Sequence, residues 1–438
     1  MAHWNPARWK SLFFPIWGGQ ALSLFGSRLV QFSLVWWLAR ETDSATVLAT
    51  AAMMAYIPMV FLSPFAGALV DRWNRRTVMI VADSGIALAT LVLAFLFATG
   101  RAYIPFVYGL MLIRAVGGAF HWPAMQAATT LMVPEKHLAR VAGLNQSLHG
   151  MAMLLSPLLG ALLIEVLPMQ GVLAIDVGTA ALAILPLLFI RIPELGNDPD
   201  KQAERVSVLK DMVQGLSFAI RWRGMLLLIL GLALMNFVVN PAFSLMPLYV
   251  TRVLNGDVIL FGSMQALFGV GFILGGVLLS VWGGFKKRIL TAVLAVAVMG
   301  IAIAVMGLTP QGWFVLAGGA LFVIGLMEPI ANGSFVATMQ ASVPKNMQGR
   351  VFALLSSATQ AVVPLGLLLA GPLCDRFGMR VWFLIGGIAY LIVAFGSLLS
   401  KSIMNLEAEG NRLNRSENYA VPAAEAVFEE QIGTDHRQ

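Results

Sequence analysis

Eight ionisable side chains stand inside long apolar stretches of this sequence: Arg28, Asp83, Arg114, His121, His149, Glu165, Asp176 and Glu328. A charge in a bilayer interior is costly, so each of them is a candidate for function. The chemistry open to them is proton binding, ion pairing and ligand recognition. A carboxyl group that alternates between an apolar surrounding and a neighbouring arginine loads and releases a proton. Glu328 is the leading candidate for that role, and a static ion pair with Arg28 or Arg114 is the competing reading. Asp83 lies near one end of its stretch, where pairing with the arginines at 72–76 or with a group on the fourth stretch competes with proton coupling. His121 and His149 could approach one another, and imidazole is a ready proton relay near neutral pH, although polar packing accounts for either. Asp176 is read as structural, near the outer end of its stretch, and Glu165 and Asp375, at outer helix ends, as parts of an outer gate. The lone cysteine, Cys374, permits neither an intrachain disulfide nor a cysteine metal cluster, so no metal site is expected.

The elements that hold these residues follow from composition. Of the 438 residues, 58% are hydrophobic and only 12% charged, about half the charged share of a soluble domain. The apolar residues fall in blocks long enough to cross a bilayer as helices, which takes about 20 residues. Twelve spans are read: 12–38, 46–70, 77–99, 104–130, 139–166, 171–190, 224–250, 258–282, 289–308, 312–338, 349–372 and 381–400. Unbroken apolar runs exclude a β-barrel, whose strands alternate. The expected fold is an all-α membrane protein. At about 1.5 Å per residue, Glu328 and Arg28 lie near the middle of their spans.

A net charge of +7 would suit nucleic acid, but the placement of the charges rejects that partner. With a cytoplasmic N-terminus, the inner segments carry 22 of the 29 lysines and arginines and the outer loops five. This positive-inside asymmetry puts both termini in the cytoplasm of a bacterial inner membrane. The first span is longer than the apolar core of a signal peptide and is expected to remain in the mature protein.

Residues 134–165 and 344–375 repeat one pattern 210 positions apart. Pro134 answers Pro344, Arg140-Val141 answers Arg350-Val351, and Glu165 answers Asp375. Arg8-Trp9 likewise answers Arg221-Trp222. Two pseudo-symmetric six-helix bundles result, 1–190 and 224–400. A cytoplasmic linker at 191–223 is read as containing an amphipathic helix, and a polar tail at 401–438 as disordered. Two related halves in so apolar a chain imply a transporter with its site between them and a rocking mechanism.

Three motifs sharpen this. Between spans two and three stands Gly67-Ala-Leu-Val-Asp71-Arg72-Trp-Asn-Arg75-Arg76, a charge cluster able to cap a neighbouring helix and latch the inner face. Its counterpart in the second half has Ser280 where the first has Asp71. Span five carries Ser156-Pro157-Leu-Leu-Gly160-Ala161, in which proline and small neighbours allow tight, bendable packing. Span four carries Arg114-Ala-Val-Gly-Gly.

The first loop resembles the signature loop of the major facilitator superfamily, with Asn74 for its second glycine. Arg114 resembles that family's fourth-span arginine motif, associated with proton coupling. Ser156–Ala161 resembles the exporter motif Gly-Pro-x-x-Gly-Gly, with Ser156 and Ala161 replacing two glycines. Within the superfamily the likeness is to bacterial macrolide-efflux permeases. It is carried by Trp17–Ser23, Gly67–Asp83, Ala119–Ala124, Arg140–Pro157, Arg191–Gly196 and Gly349–Phe352, and runs from about residue 8 to 400.

The resemblance implies the major facilitator fold, in which spans one, four, seven and ten line a central cavity. It also implies export of lipophilic or amphiphilic small molecules, macrolide-like drugs among them, driven by a proton gradient without another cofactor. The proton-coupling candidates are Arg114, His121 and Asp83 together with Glu328 and Arg28, the last two resting on chemistry alone and on no motif of the family. The cavity candidates are Gln20, Trp36, Asn236, Phe237, Asn240, Met327 and Asn332, whose polar, aromatic and methionine surfaces suit bulky amphiphiles. A monomer in a lipid bilayer is expected. Export of a natural metabolite such as a siderophore or peptide is the alternative. A membrane-embedded enzyme or receptor is less favoured, because no phosphate-binding loop, zinc motif or nucleophile elbow appears in suitable context.

Overall fold

The computed structural model describes residues 9–193, 222–343 and 345–406. Most of the expected linker helix, nearly all of the polar tail, and Arg8, Arg221 and Pro344 of the repeat lie outside the described residues. The first half comprises α1 (Trp9–Thr42), α2 (Ala45–Arg72), α3 (Arg75–Ala98), α4 (Ile104–Met132), α5 (Glu135–Val166) and α6 (Met169–Phe189). The second comprises α7 (Arg223–Ser244), α8 (Met246–Arg252), α9 (Val258–Trp282), α10 (Arg288–Leu308), α11 (Phe314–Ser342), α12 (Lys345–Ala361), α13 (Val363–Phe377) and α14 (Met379–Leu399). A single helical turn, α15 (Lys401–Met404), opens the segment expected to be disordered.

Among the described residues, twelve helical segments are long and apolar enough to cross a membrane. Helices close their own backbone hydrogen bonds, which is what hydrocarbon requires. Their outward faces stay apolar: Phe61, Val81, Phe95 and Ile392 are all exposed. Two expected spans are each divided into two helices. The span at 224–250 breaks at Leu245, and Pro247 stands in the first turn of α8; the span at 349–372 breaks at Val362, and Pro364 stands in the first turn of α13. Proline has no N–H to continue the preceding helix but fits a first turn. Pro157, by contrast, lies within the continuous α5.

Within the first half α1 packs on α5 and α6, α2 on α4, and α3 on α4 and α6; within the second, α7 packs on α13 and α14, α9 on α11, and α10 on α11 and α14. The halves meet most extensively through two pairs, α5 with α9 and α2 with α13. Both seams depend on glycine. A Cβ at Gly262 would lie 2.9 Å from the Pro157 carbonyl oxygen, and one at Gly371 2.8 Å from Thr46 Cα. Backbones approach this closely only where no side chain intervenes.

These seams converge on one end of the molecule. There Phe32 and Trp36 of α1 both stack on Phe261 of α9, with centroids 4.8 and 5.7 Å away. Asp375 at the end of α13 accepts hydrogen bonds from the Ala45 and Thr46 backbone N–H groups at 2.7 and 2.9 Å, capping α2 in the other half. Arg252 pairs with Asp43 at 2.9 Å and lies 3.6 Å from Asp375. Toward the opposite end, which carries Arg75, Arg76, Lys286 and Lys287, the buried apolar residues divide into two separate clusters, one in each half, whereas the cluster at the first end spans both. The two halves therefore form a wedge, sealed at one end and open beside the basic loops.

The seal is testable with the chain's own cysteine. Cys374, next to Asp375, is buried and 1% exposed. Asp375→Asn removes a charged acceptor from a helix N-terminus and from Arg252. Charge-assisted hydrogen bonds of this kind contribute about 1.5–3 kcal/mol each, less where water screens them. Maleimide labelling of Cys374 in the folded protein should accelerate at least about fivefold, a conservative fraction of that energy. Unchanged labelling would mean that Asp375 does not hold the seal.

Candidate transport site

Three cavities, each with polar groups on a mostly apolar wall, are built into the wedge. The first, about 380 Å³, lies inside the first half and is lined by Gln20, Asp83, Arg114, His121, Asn145 and His149 among others. Each charge here has a partner. Arg114 of α4 and Asp176 of α6 form an ion pair at 2.6 Å, with side chains 10% and 1% exposed. Thr90 of α3 donates to Asp176 at 3.0 Å and accepts from Arg114; Ser27 of α1 donates to Asp176 at 3.1 Å. Asp176 is thus the hub of four helices. It lies seven residues, about 10 Å, inside α6 rather than at its end.

Asp83 is also buried. It accepts from the Gln20 amide at 2.8 Å and lies 3.2 Å from His121 Nε2, which is 2.8 Å from Gln20 Oε1. An imidazole nitrogen facing two oxygens carries a proton there, and the assembly can hold or pass one between histidine and carboxylate. Of the partners considered for Asp83, the fourth-helix histidine is the one it has. His149 does not join His121; its ring packs edge-on against Trp122 at 5.2 Å.

The second cavity, about 430 Å³, lies inside the second half, with Glu328, Asn236, Asn240, Asn332 and Tyr390 on its wall. Asn240 donates to Asn236 at 2.9 Å and accepts from Tyr56 of the first half at 3.0 Å. Glu328 makes no hydrogen bond or ion pair among the described residues. The static pairs with Arg28 or Arg114 considered above are absent from this arrangement: Arg114 is held by Asp176, and Arg28 opens onto a different cavity.

The third cavity, about 770 Å³, lies between the halves against the sealed end. Arg28, Gln31, Tyr56 and Ser156 face it from the first half, and Phe243, Gln265 and Phe268 from the second. Phe243 and Phe268 also line the second cavity, so the two adjoin. Gln31 and Gln265 are lone amides in apolar runs, a signal available in the sequence but passed over. Several expected lining residues point elsewhere. Gln20 is turned toward Asp83, and Trp36 is buried in the seam against Phe261. Phe237 and Met327 both pack on the apolar core. Helix rotation decides these cases: residues on one helix separate by about 100° per position.

Arg76 and Asn74 of the signature loop make contacts within their own half. Arg76 donates to the carbonyls of Leu187 and Leu188, the latter at 2.9 Å, closing the end of α6. Asn74 caps α3 by accepting from Thr77 N–H at 3.1 Å. Arg75 is buried. The side chains of Asp71 and Arg72 are outside the described residues. Ser280, at the position of Asp71, bonds its own helix at the Gly276 carbonyl, 2.7 Å away. The exporter-like motif forms the seam: Pro157 meets α9 at Gly262, and Gly160 admits the ring of Phe32.

Two apolar helical halves, sealed together at one end over a cavity and parted at the other, define a membrane carrier that works by alternating access. The sequence profile of the Major Facilitator Superfamily matches residues 16–367, and the chain belongs to that family. It is 34% identical over 399 residues to macrolide efflux protein A of Streptococcus pyogenes, covering 91% of this chain and 98% of that protein. It is 26% identical over 398 residues to the multidrug efflux pump Tap of Mycolicibacterium fortuitum, covering 87% and 94%. A solved structure of the nucleoside transporter NupG superposes with a TM-score of 0.69 at 14% identity, covering 87% of this chain and 97% of that one. A D-xylose–proton symporter gives 0.65 at 14% identity, covering 86% and 95%. At that identity the structures establish the shared fold.

The Arg114–Asp176 pair predicts a specific stability pattern. Asp176→Asn leaves a buried guanidinium without its counter-charge, a change that costs about 3–5 kcal/mol. Replacing both partners by apolar residues, Arg114→Met with Asp176→Leu, should recover most of that loss. Apparent Tm in detergent measures it; additive losses in the double variant would show that the two residues are not coupled.

Proposed function

We propose that this protein exports lipophilic or amphiphilic small molecules, macrolide-like drugs among them, in exchange for protons. The observation that carries the reading is the wedge: a largely apolar cavity, sealed at one end, opens beside the basic loops. The positive-inside asymmetry of the sequence supports putting that opening on the cytoplasmic side of a bacterial inner membrane. The similarity to a macrolide efflux protein over nearly its whole length supports export and the drug class.

Glu328 is the proposed proton carrier. It is a cavity-lining intramembrane acid without a bonded partner among the described residues, and it lies beside the cavity between the halves. A proton and a ligand that makes use of the free carboxylate would exclude one another there, which is the requirement for exchange. The Asp83–His121–Gln20 cluster is a second proton-holding assembly, and its bonds stay within one half. The protein is proposed to work as a monomer, since each half supplies one wall of the cavity within a single chain.

Proteoliposomes with an imposed pH gradient and a labelled macrolide test this. Accumulation should follow the gradient and reverse with it. Glu328→Gln should reduce gradient-driven flux to the level of protein-free vesicles while leaving downhill exchange of the drug measurable. Flux that ignores the gradient for every drug tried would overturn the export reading. Full gradient-driven transport by the variant would remove Glu328 from the mechanism.

A further inference from the structure

The cavity between the halves contains a charge that no described residue balances. Arg28 lines its sealed end, and its Nε is buried without a hydrogen-bond partner. Ser156 lines the same space; it is 1% exposed, and its hydroxyl is likewise buried without a partner. The acids that could have served Arg28 are engaged elsewhere. Asp176 holds Arg114, Asp83 holds Gln20 and His121, and Asp375 caps α2. Glu328 lines the neighbouring cavity and makes no bond to Arg28. Among the described residues no carboxylate lines the space that Arg28 faces.

We propose that Arg28 and Ser156 form an anion subsite at the sealed end of this cavity, which takes the carboxylate or phosphate head of an amphiphile. A guanidinium in low dielectric binds such a head in preference to a neutral one, because two N–H groups can meet two oxygens. The serine hydroxyl supplies a further donor. Gln31 and Gln265, on the same wall from opposite halves, are amides able to donate to the remaining oxygen lone pairs. Phe32, Met59, Phe261 and Phe268 provide the apolar surface for the rest of the molecule. Ser156 occupies a position where the exporter motif that this segment resembles has glycine. The hydroxyl that weakens the motif match therefore builds the subsite. The substrate range would extend to amphiphiles bearing an acidic group, a conclusion that rests on reading this cavity as the transport route.

The test uses the full-length protein in a non-ionic detergent with two probes of one skeleton, dansylaminoundecanoic acid and its methyl ester, followed by dansyl fluorescence. Wild type should bind the acid about tenfold more tightly than the ester, the difference expected of one charge-assisted contact. In Arg28→Gln the acid should fall to the affinity of the ester, with ester affinity unchanged as the control for folding. Where that variant does not fold, Ser156→Ala serves instead and should lower the acid-to-ester ratio roughly threefold. Displacement of bound acid by dodecanoate but not by phosphatidylglycerol would identify the natural head group as that of a free amphiphile. Displacement by phosphatidylglycerol but not phosphatidylcholine would identify a lipid. Equal binding of acid and ester by wild type, or discrimination that survives Arg28→Gln, would overturn the subsite. Loss of macrolide flux in wild type alongside intact discrimination would overturn the export reading and leave the subsite standing.

Discussion

An arginine inside hydrocarbon needs a counter-charge, and the first half of this protein is organised around that need. Arg114 and Asp176 are close together and almost fully removed from water. Desolvating two charges offsets most of their attraction, so the pair is a poor source of stability but a strong constraint on geometry. Thr90 and Ser27 complete the bonds of the carboxylate, and the four helices α1, α3, α4 and α6 are thereby held in one relative rotation. Neighbouring Gln20, Asp83 and His121 add a second set of bonds between α1, α3 and α4. The described residues of the second half contain no buried ion pair of this kind. Its one intramembrane acid, Glu328, is left available for exchange.

Twelve spans and two halves were legible because hydropathy is a local property and the repeat is written in the chain. The partners of the charges were not, because Arg114 and Asp176 are 62 positions apart and their meeting depends on the rotation of two helices. The same cause explains the misread walls. Gln20 and Arg28 are eight residues apart on α1, a separation of about 80° around the helix axis, and they face different cavities. Depth alone could place Glu328 and Arg28 near the middle of the membrane, but not in adjoining cavities. The breaks at Leu245 and Val362 were written in Pro247 and Pro364, and were obscured by treating apolar length as helical continuity.

The repeat also shows how symmetry is broken at the seal. Asp375 and Glu165 are counterparts in sequence but not in action. Asp375 caps α2 across the divide between the halves. The corresponding N-terminus in the second half, that of α9, is capped by its own Asp257 at 2.8 Å, and Glu165 remains exposed. One seam is thus closed by a charge from the opposite half and the other by close backbone packing at Gly262. Breaking the first costs charged hydrogen bonds that water can replace. Breaking the second costs apolar contact that water cannot. The α2–α13 seam is therefore the one more sensitive to salt and to ligand charge.

Location relative to the two halves decides which charges can report a rocking motion. The Arg114–Asp176 pair lies wholly in the first half, as do Asp83 and His121, so rigid rotation of one half against the other leaves their distances unchanged. Arg28 and Glu328 belong to different halves and face adjoining cavities. Their separation, and the water between them, must change whenever the wedge inverts. On the proposed mechanism this is why these two remain unpaired while the charges inside the first half are locked. A carrier needs charges whose surroundings differ between its two states, and only groups on opposite sides of the divide have that property without local unfolding. The bound scaffold and the free charges are then two parts of one arrangement: pairing where the protein must stay rigid, and leaving open where it must respond.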